Sequence, residues 1–145
     1  MNAAADTAQQ PRAPGPTLAA FESLAFEVDA FDHEAHLYVA WLYVRDFELP
    51  DAISRYCDTL RRLTSMIGIP GKYHETITWF FMILVAERVR RDPARSWEAF
   101  RQSNPDLFRQ RPGIIRHYYS DERLGSQEAR RHFLLPDIRT AGRHP

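Results

Sequence analysis

The sequence predicts an all-α protein, a small compact bundle of helices around one central buried helix. From Tyr73 to Arg91 the chain has a helical character, and between Ile77 and Ala86 it carries no charge and places apolar side chains on every face of the helix. At about 1.5 Å per residue this uncharged run spans about 15 Å, half of a bilayer core, so we expect protein around it rather than lipid. Two further segments show helical spacing of apolar residues, and no segment alternates β-branched residues as a strand would.

The earlier helices have clear start signals. Residues 18–31 form a lead-in whose phenylalanines should lie on the core. The first long helix, residues 32–45, has Asp32 as a good N-cap. The second, residues 50–67, opens with Pro50 and carries a stripe of apolar residues at steps of three and four, namely Ile53, Tyr56, Cys57, Leu60, Leu63 and Ile67. Gly68 should end the second helix, and a tight connection at residues 69–72 leads into the central one.

Beyond the central helix the predicted elements are short. The pair Asp92-Pro93 should end that helix, because a residue before proline avoids the helical conformation. We expect short helical pieces and turns at residues 94–102, 105–109, 113–119, 121–124 and 126–135, with Ser126 as the cap of the last one.

A single domain is expected from the length and composition. With 145 residues, of which 44% are hydrophobic, the chain can bury one substantial core. We assign residues 18–138 to the helical domain, residues 1–17 to a disordered N-terminal tail rich in Ala, Gln and Pro, and residues 139–145 to a loose C-terminal tail.

The charge balance argues against two classes of partner. Basic and acidic side chains number 19 each, so no strong field would draw the protein to nucleic acid or to an anionic membrane. Acidic residues outnumber basic ones up to residue 87, and the reverse holds beyond it. We therefore expect the C-terminal segments to pack over an acidic N-terminal half, with an anionic substrate or partner as the alternative.

The cysteine content and the N-terminus favour a cytoplasmic location. Cys57 is the only cysteine, so no intramolecular disulfide can form, and its place in an apolar stripe indicates a small buried side chain. The N-terminus lacks the basic and apolar regions of a secretory signal.

Polar residues should meet at one end of the bundle. The short connections make consecutive long helices antiparallel, so the first helix and the central helix run parallel and begin at the same end. His33 and His36 lie three residues apart on one face of the first helix, and His74 begins the central helix between Tyr73 and Glu75.

We therefore predict a divalent transition-metal site, zinc or non-haem iron, with His33, His36 and His74 as ligands. A helix N-terminus disfavours imidazolium, and a metal needs the neutral ring. Three histidines, or two with Glu75, leave coordination positions open for water and substrate, as in catalytic sites. The protein would be a small enzyme acting on a small organic molecule, with Glu75 or His117 moving a proton and Tyr73 binding the substrate.

Two alternatives stay open. Glu34 and Glu75 could satisfy the imidazoles without a metal, in a non-catalytic helical module that uses residues 18–31 for self-association or for docking on a larger subunit. The other alternative is a metal-free enzyme in which His74 and Glu75 form an acid/base pair in a dry pocket.

Two stretches also carry a resemblance. FDHEAHLYVAWLYV (residues 31–44) and GKYHETITWFFMILVAER (residues 71–88) resemble a group of small bacterial helical proteins without an assigned activity, with weaker similarity at NPDLF and FLLPD. The resemblance implies an all-α domain and no particular reaction. In architecture alone, three histidines on a compact bundle are similar to the metal-dependent DinB-type bundles, whose usual histidine spacing is not reproduced here.

Overall fold

The computed structural model describes residues 13–111 and 113–138, and this part of the chain is all-α, which confirms the predicted fold class. The remaining residues of the two predicted tails, 1–12 and 139–145, lie outside the described residues. The α-helices are α1 (Leu18–Glu22), α2 (His33–Asp46), α3 (Leu49–Met66), α4 (Glu75–Arg91), α5 (Trp97–Ser103), α6 (Asp121–Leu124) and α7 (Gln127–Arg131). Short 3-10 turns occur at Val28–Ala30, Pro70–Lys72, Pro105–Phe108 and Ile114–His117.

The helices α2 and α3 begin and end where local chemistry predicts. The Asp32 carboxylate caps α2 by accepting a hydrogen bond from the Ala35 N–H at 2.9 Å. Pro50 lies in the first turn of α3, and Gly68 follows its end with a φ of 81°, a conformation that favours glycine. The predicted apolar stripe of α3 is buried up to Leu63, whereas Ile67 is exposed.

The central helix α4 packs against α2, α3 and α7. It begins at Glu75, two residues later than the pattern predicts, because His74 is its N-cap and Tyr73 belongs to the preceding connection. Met82 and Val85 are fully buried, but Ile83 is 38% exposed, so one strip of this helix reaches the surface.

The lead-in before α2 covers the core. Phe21 is fully buried and its ring lies 5.8 Å from that of Phe26 and 5.6 Å from that of Phe31. Thr17 caps α1, and Gly15 lies against Tyr38 of α2, so the chain already packs on the domain before residue 18. Residues 18–31 therefore do not form the exposed apolar face that the docking alternative requires.

The C-terminal segments are held by few charge pairs with the acidic half. Among the described residues, Arg101 pairs with Glu34 at 2.9 Å, and the other pair that crosses residue 87 joins neighbours within α4. Buried apolar side chains such as Phe100, Leu107 and Tyr119 make the contact with the core instead. The charge asymmetry is thus a poor guide to how the two halves pack.

The last predicted helix is also shorter than expected, since α7 ends at Arg131.

In the part of the chain that the structure describes, no helix combines the length and the apolarity needed to cross a membrane.

Candidate functional site

A cavity of about 580 Å³ opens at the end of the bundle where α2 and α4 begin. This volume lies in the range of small-molecule binding sites, and most of the side chains around it are apolar. His33 and His36 of α2 and His74 at the start of α4 all line it, together with residues of the last turns of α3. The predicted meeting of the two helix starts is therefore present.

His33 is half-buried, and one of its ring nitrogens is bound to the protein. Nε2 lies 2.8 Å from the Leu107 carbonyl oxygen, which can only accept, so Nε2 carries the proton and donates it. The ring meets Phe81 edge to face at 5.6 Å. In the neutral ring Nδ1 is then an acceptor, and it has no hydrogen-bond partner among the described residues.

His36 has the opposite tautomer. Its Nδ1 lies 2.8 Å from the Asp32 carbonyl oxygen one turn earlier, so Nδ1 donates and Nε2 is left as the acceptor. The ring packs against Phe31 at a centroid distance of 4.2 Å. Burial lowers the pKa of His36 below its ordinary value of 6.5, and this effect outweighs the hydrogen bond to the Asp32 carbonyl, which raises the pKa. The neutral, hydrogen-bond-accepting form is favoured.

Both ring nitrogens of His74 form hydrogen bonds to the backbone. Its Nδ1 accepts the Ile77 N–H at 3.1 Å as the N-cap of α4, and its Nε2 donates to the Leu124 carbonyl oxygen at 2.7 Å. Only 7% of the residue is exposed. Burial lowers the pKa of His74, in keeping with a ring that must stay neutral to accept the cap hydrogen bond.

The three predicted metal ligands therefore share a cavity, but they do not offer three nitrogens to one ion. His74 has no unoccupied nitrogen in this arrangement. Across residues 13–111 and 113–138, no group of three or more histidine, cysteine, aspartate or glutamate side chains is placed to hold a metal. Zinc or iron binding stays a prediction, with His33 and His36 as the two nitrogens it could use.

Two of the predicted catalytic residues, Tyr73 and Glu75, form a separate cluster. Oε1 of Glu75 accepts hydrogen bonds from the Tyr73 hydroxyl at 2.6 Å and from Arg61 at 2.7 Å. Burial raises the pKa of Tyr73, and its hydrogen bond to Glu75 acts in the same direction. Tyr73 still lines the histidine cavity, whereas Glu75 faces a second one. His74 and Glu75 are thus not joined as an acid/base pair.

The third predicted catalytic residue, His117, lies elsewhere. It is exposed at the end of the Ile114–His117 turn and lines neither of these cavities. The return of the chain past Pro93 does not bring it to the histidines.

Several residues that shape the histidine cavity have no functional signal in the sequence. Tyr56, Leu60 and Leu63 are predicted as core positions of α3, and they are buried, but they also form a wall of this cavity. Lys72, the only lysine of the chain, is exposed beside the cavity. The spacing of Tyr56, Leu60 and Leu63 indicates only that these side chains are buried, so it cannot distinguish a packed core position from a cavity wall.

Comparisons of the chain with protein-family models, with curated proteins and with solved structures find no match. The resemblance to small bacterial helical proteins therefore stays an expectation.

Proposed function

We propose that the cavity lined by His33 and His36 binds a small, largely apolar organic molecule, and that the two imidazoles accept hydrogen bonds from its donor groups. One observation carries the proposal. Each ring donates one N–H to a backbone carbonyl, which leaves its other nitrogen as an acceptor, and both residues line a largely apolar cavity of about 580 Å³. Apolar walls with a few oriented polar groups are characteristic of ligand sites.

A matched pair of probes tests both parts of this proposal. 2-Naphthol offers an apolar body with a hydroxyl donor, and 2-methoxynaphthalene has the same body without the donor. We expect 2-naphthol to bind more tightly by about three- to tenfold, the usual value of one net hydrogen bond. Titration followed by protein fluorescence or calorimetry gives both dissociation constants.

Two substitutions displace the acceptors while keeping the structural hydrogen bonds. His33→Gln retains a donor near the position of Nε2, and His36→Asn retains one near the position of Nδ1; the amide oxygen of each is still an acceptor, but it does not occupy the position of the unbound ring nitrogen. The double variant should bind both probes equally, while the exposed His132→Gln control keeps the preference for 2-naphthol. Absence of binding in the wild-type protein, or an undiminished preference in the double variant, contradicts the proposal.

A second candidate function, metal binding, is supported by the same hydrogen bonds. Metal-ligating histidines usually donate their other ring N–H to a carbonyl or carboxylate, as His33 and His36 do here. Two protein nitrogens would leave the remaining positions to solvent or to a bound molecule. Elemental analysis of protein purified without chelator tests this: stoichiometric zinc or iron that is absent from the double variant supports it, and metal-free wild-type protein refutes it.

A further inference from the structure

The second cavity, of about 380 Å³, shares Tyr73 with the histidine cavity as a lining residue. It is formed by the end of α3, the connection before α4 and the short helix α7. Three arginines, Arg61, Arg130 and Arg131, line it, and Glu75 is its acidic residue.

The charge of Arg61 is balanced within the cluster. Its guanidinium lies 2.7 Å from the Glu75 carboxylate and 5.0 Å from the centre of the Tyr73 ring. This pair is close to neutral overall, so Glu75 offsets one of the three positive charges. The cavity keeps an excess of two positive charges from Arg130 and Arg131.

Arg130 and Arg131 have guanidinium N–H groups that make no hydrogen bond to the described residues. Nη1 of Arg130 donates to the Gly71 carbonyl oxygen at 3.1 Å, which orients the guanidinium and leaves its other N–H groups without a partner among the described residues. Arg131 is exposed and makes no hydrogen bond or ion pair with another described residue. Neither side chain is neutralised by a carboxylate in the part of the chain described.

We propose that this second cavity binds an oxyanion group, a phosphate or a carboxylate, of a small molecule. The planar guanidinium matches the paired oxygens of both groups and forms charge-assisted hydrogen bonds with them. Arg130 supplies a fixed donor and Arg131 an adjustable one, while the Arg61–Glu75 pair forms the wall beside them.

The test uses inorganic phosphate and acetate as probes, each replacing chloride at constant ionic strength. Backbone amide signals of Gly71 and Gln127, both at this cavity, report binding by NMR. We expect saturable shifts with a millimolar dissociation constant for at least one probe, and the tighter of the two identifies the preferred oxyanion.

Arg131→Gln and Arg90→Gln separate a site from general charge. Both remove one exposed arginine, but Arg90 lies on α4 and does not line this cavity. Arg131→Gln should weaken binding by about tenfold, the value of a charge-assisted hydrogen bond, and Arg90→Gln should leave it unchanged. Equal weakening by both variants, or shifts that never saturate, overturns the proposal.

Discussion

The three histidines at the large cavity differ in which ring nitrogen is tied to the backbone. His33 donates through Nε2 and His36 through Nδ1, so each keeps one acceptor nitrogen. His74 uses both nitrogens, one to cap α4 and one to hold Leu124. The same residue type therefore keeps one acceptor nitrogen without a partner among the described residues at two positions, and uses both nitrogens structurally at the third.

The protonation of His74 should make stability depend on pH. Burial holds its pKa below the ordinary 6.5, so the unfolded chain binds more protons between the folded-state pKa and 6.5. The free energy of unfolding should be constant above that window and fall as the pH drops through it. Protonation also destroys the acceptor that caps α4, and Arg130 is the nearby charge that opposes it.

His74→Asn checks this, because asparagine caps a helix without titrating. Urea unfolding at about pH 5 and about pH 8 should show a smaller loss in the variant than in the wild-type protein. Some loss remains, since the pKa of His36 is lowered as well. An identical pH dependence of the two proteins refutes the assignment to His74.

At the level of elements, side chains at the starts of α2 and α4 donate hydrogen bonds to the short C-terminal elements and their ends. His33 donates to the Leu107 carbonyl, His74 to that of Leu124, and Thr76 to that of His132. These donors satisfy carbonyl groups that no regular element would satisfy. The polar residues at the start of α4 thus mainly anchor the C-terminal segments through hydrogen bonds.

Thr76→Val measures how much the hydrogen bonds of Thr76 to the C-terminal segment stabilise the protein. The buried hydroxyl donates to the His132 carbonyl at 2.7 Å and accepts the Leu134 N–H at 3.1 Å. Valine keeps the shape and removes both bonds, so the free energy of unfolding should fall by about 2 to 3 kcal/mol and the Leu134 amide should exchange faster. Thr64→Val, which removes a local bond to Arg61, should cost less than about 0.5 kcal/mol. If the two variants lose the same free energy of unfolding, Thr76 does not anchor the C-terminal segment.

The long helices could be predicted from sequence because their signals are local. Asp32, Pro50 and Gly68 act within one turn of their own positions, and apolar spacing identifies the buried faces. The roles of His74 and Thr76 could not be predicted in this way. Their partners are carbonyl groups of Leu124 and His132, more than 45 residues away in segments without periodicity.

At the scale of the whole molecule, topology explains the cavity better than charge does. Short connections bring the starts of α2 and α4 to one end, as predicted, and the last turns of α3 complete the wall. The charge asymmetry of the two halves predicts ion pairs between them, yet among the described residues Arg101–Glu34 is the one ion pair that joins an element of the first half to an element of the second. Buried apolar side chains, together with the hydrogen bonds donated by His33, His74 and Thr76, join the C-terminal segments to the long helices.

The most direct measurement is the set of intermolecular NOEs between 2-naphthol and the protein. If the molecule enters the histidine cavity, its ring protons should show NOEs to methyl groups of Leu60, Leu63 and Ile77, which line it. Met66 and Ile67 form exposed apolar surface outside the cavity and serve as the internal control. NOEs confined to Met66 and Ile67, or none at all, would contradict the proposal that this cavity is a ligand site.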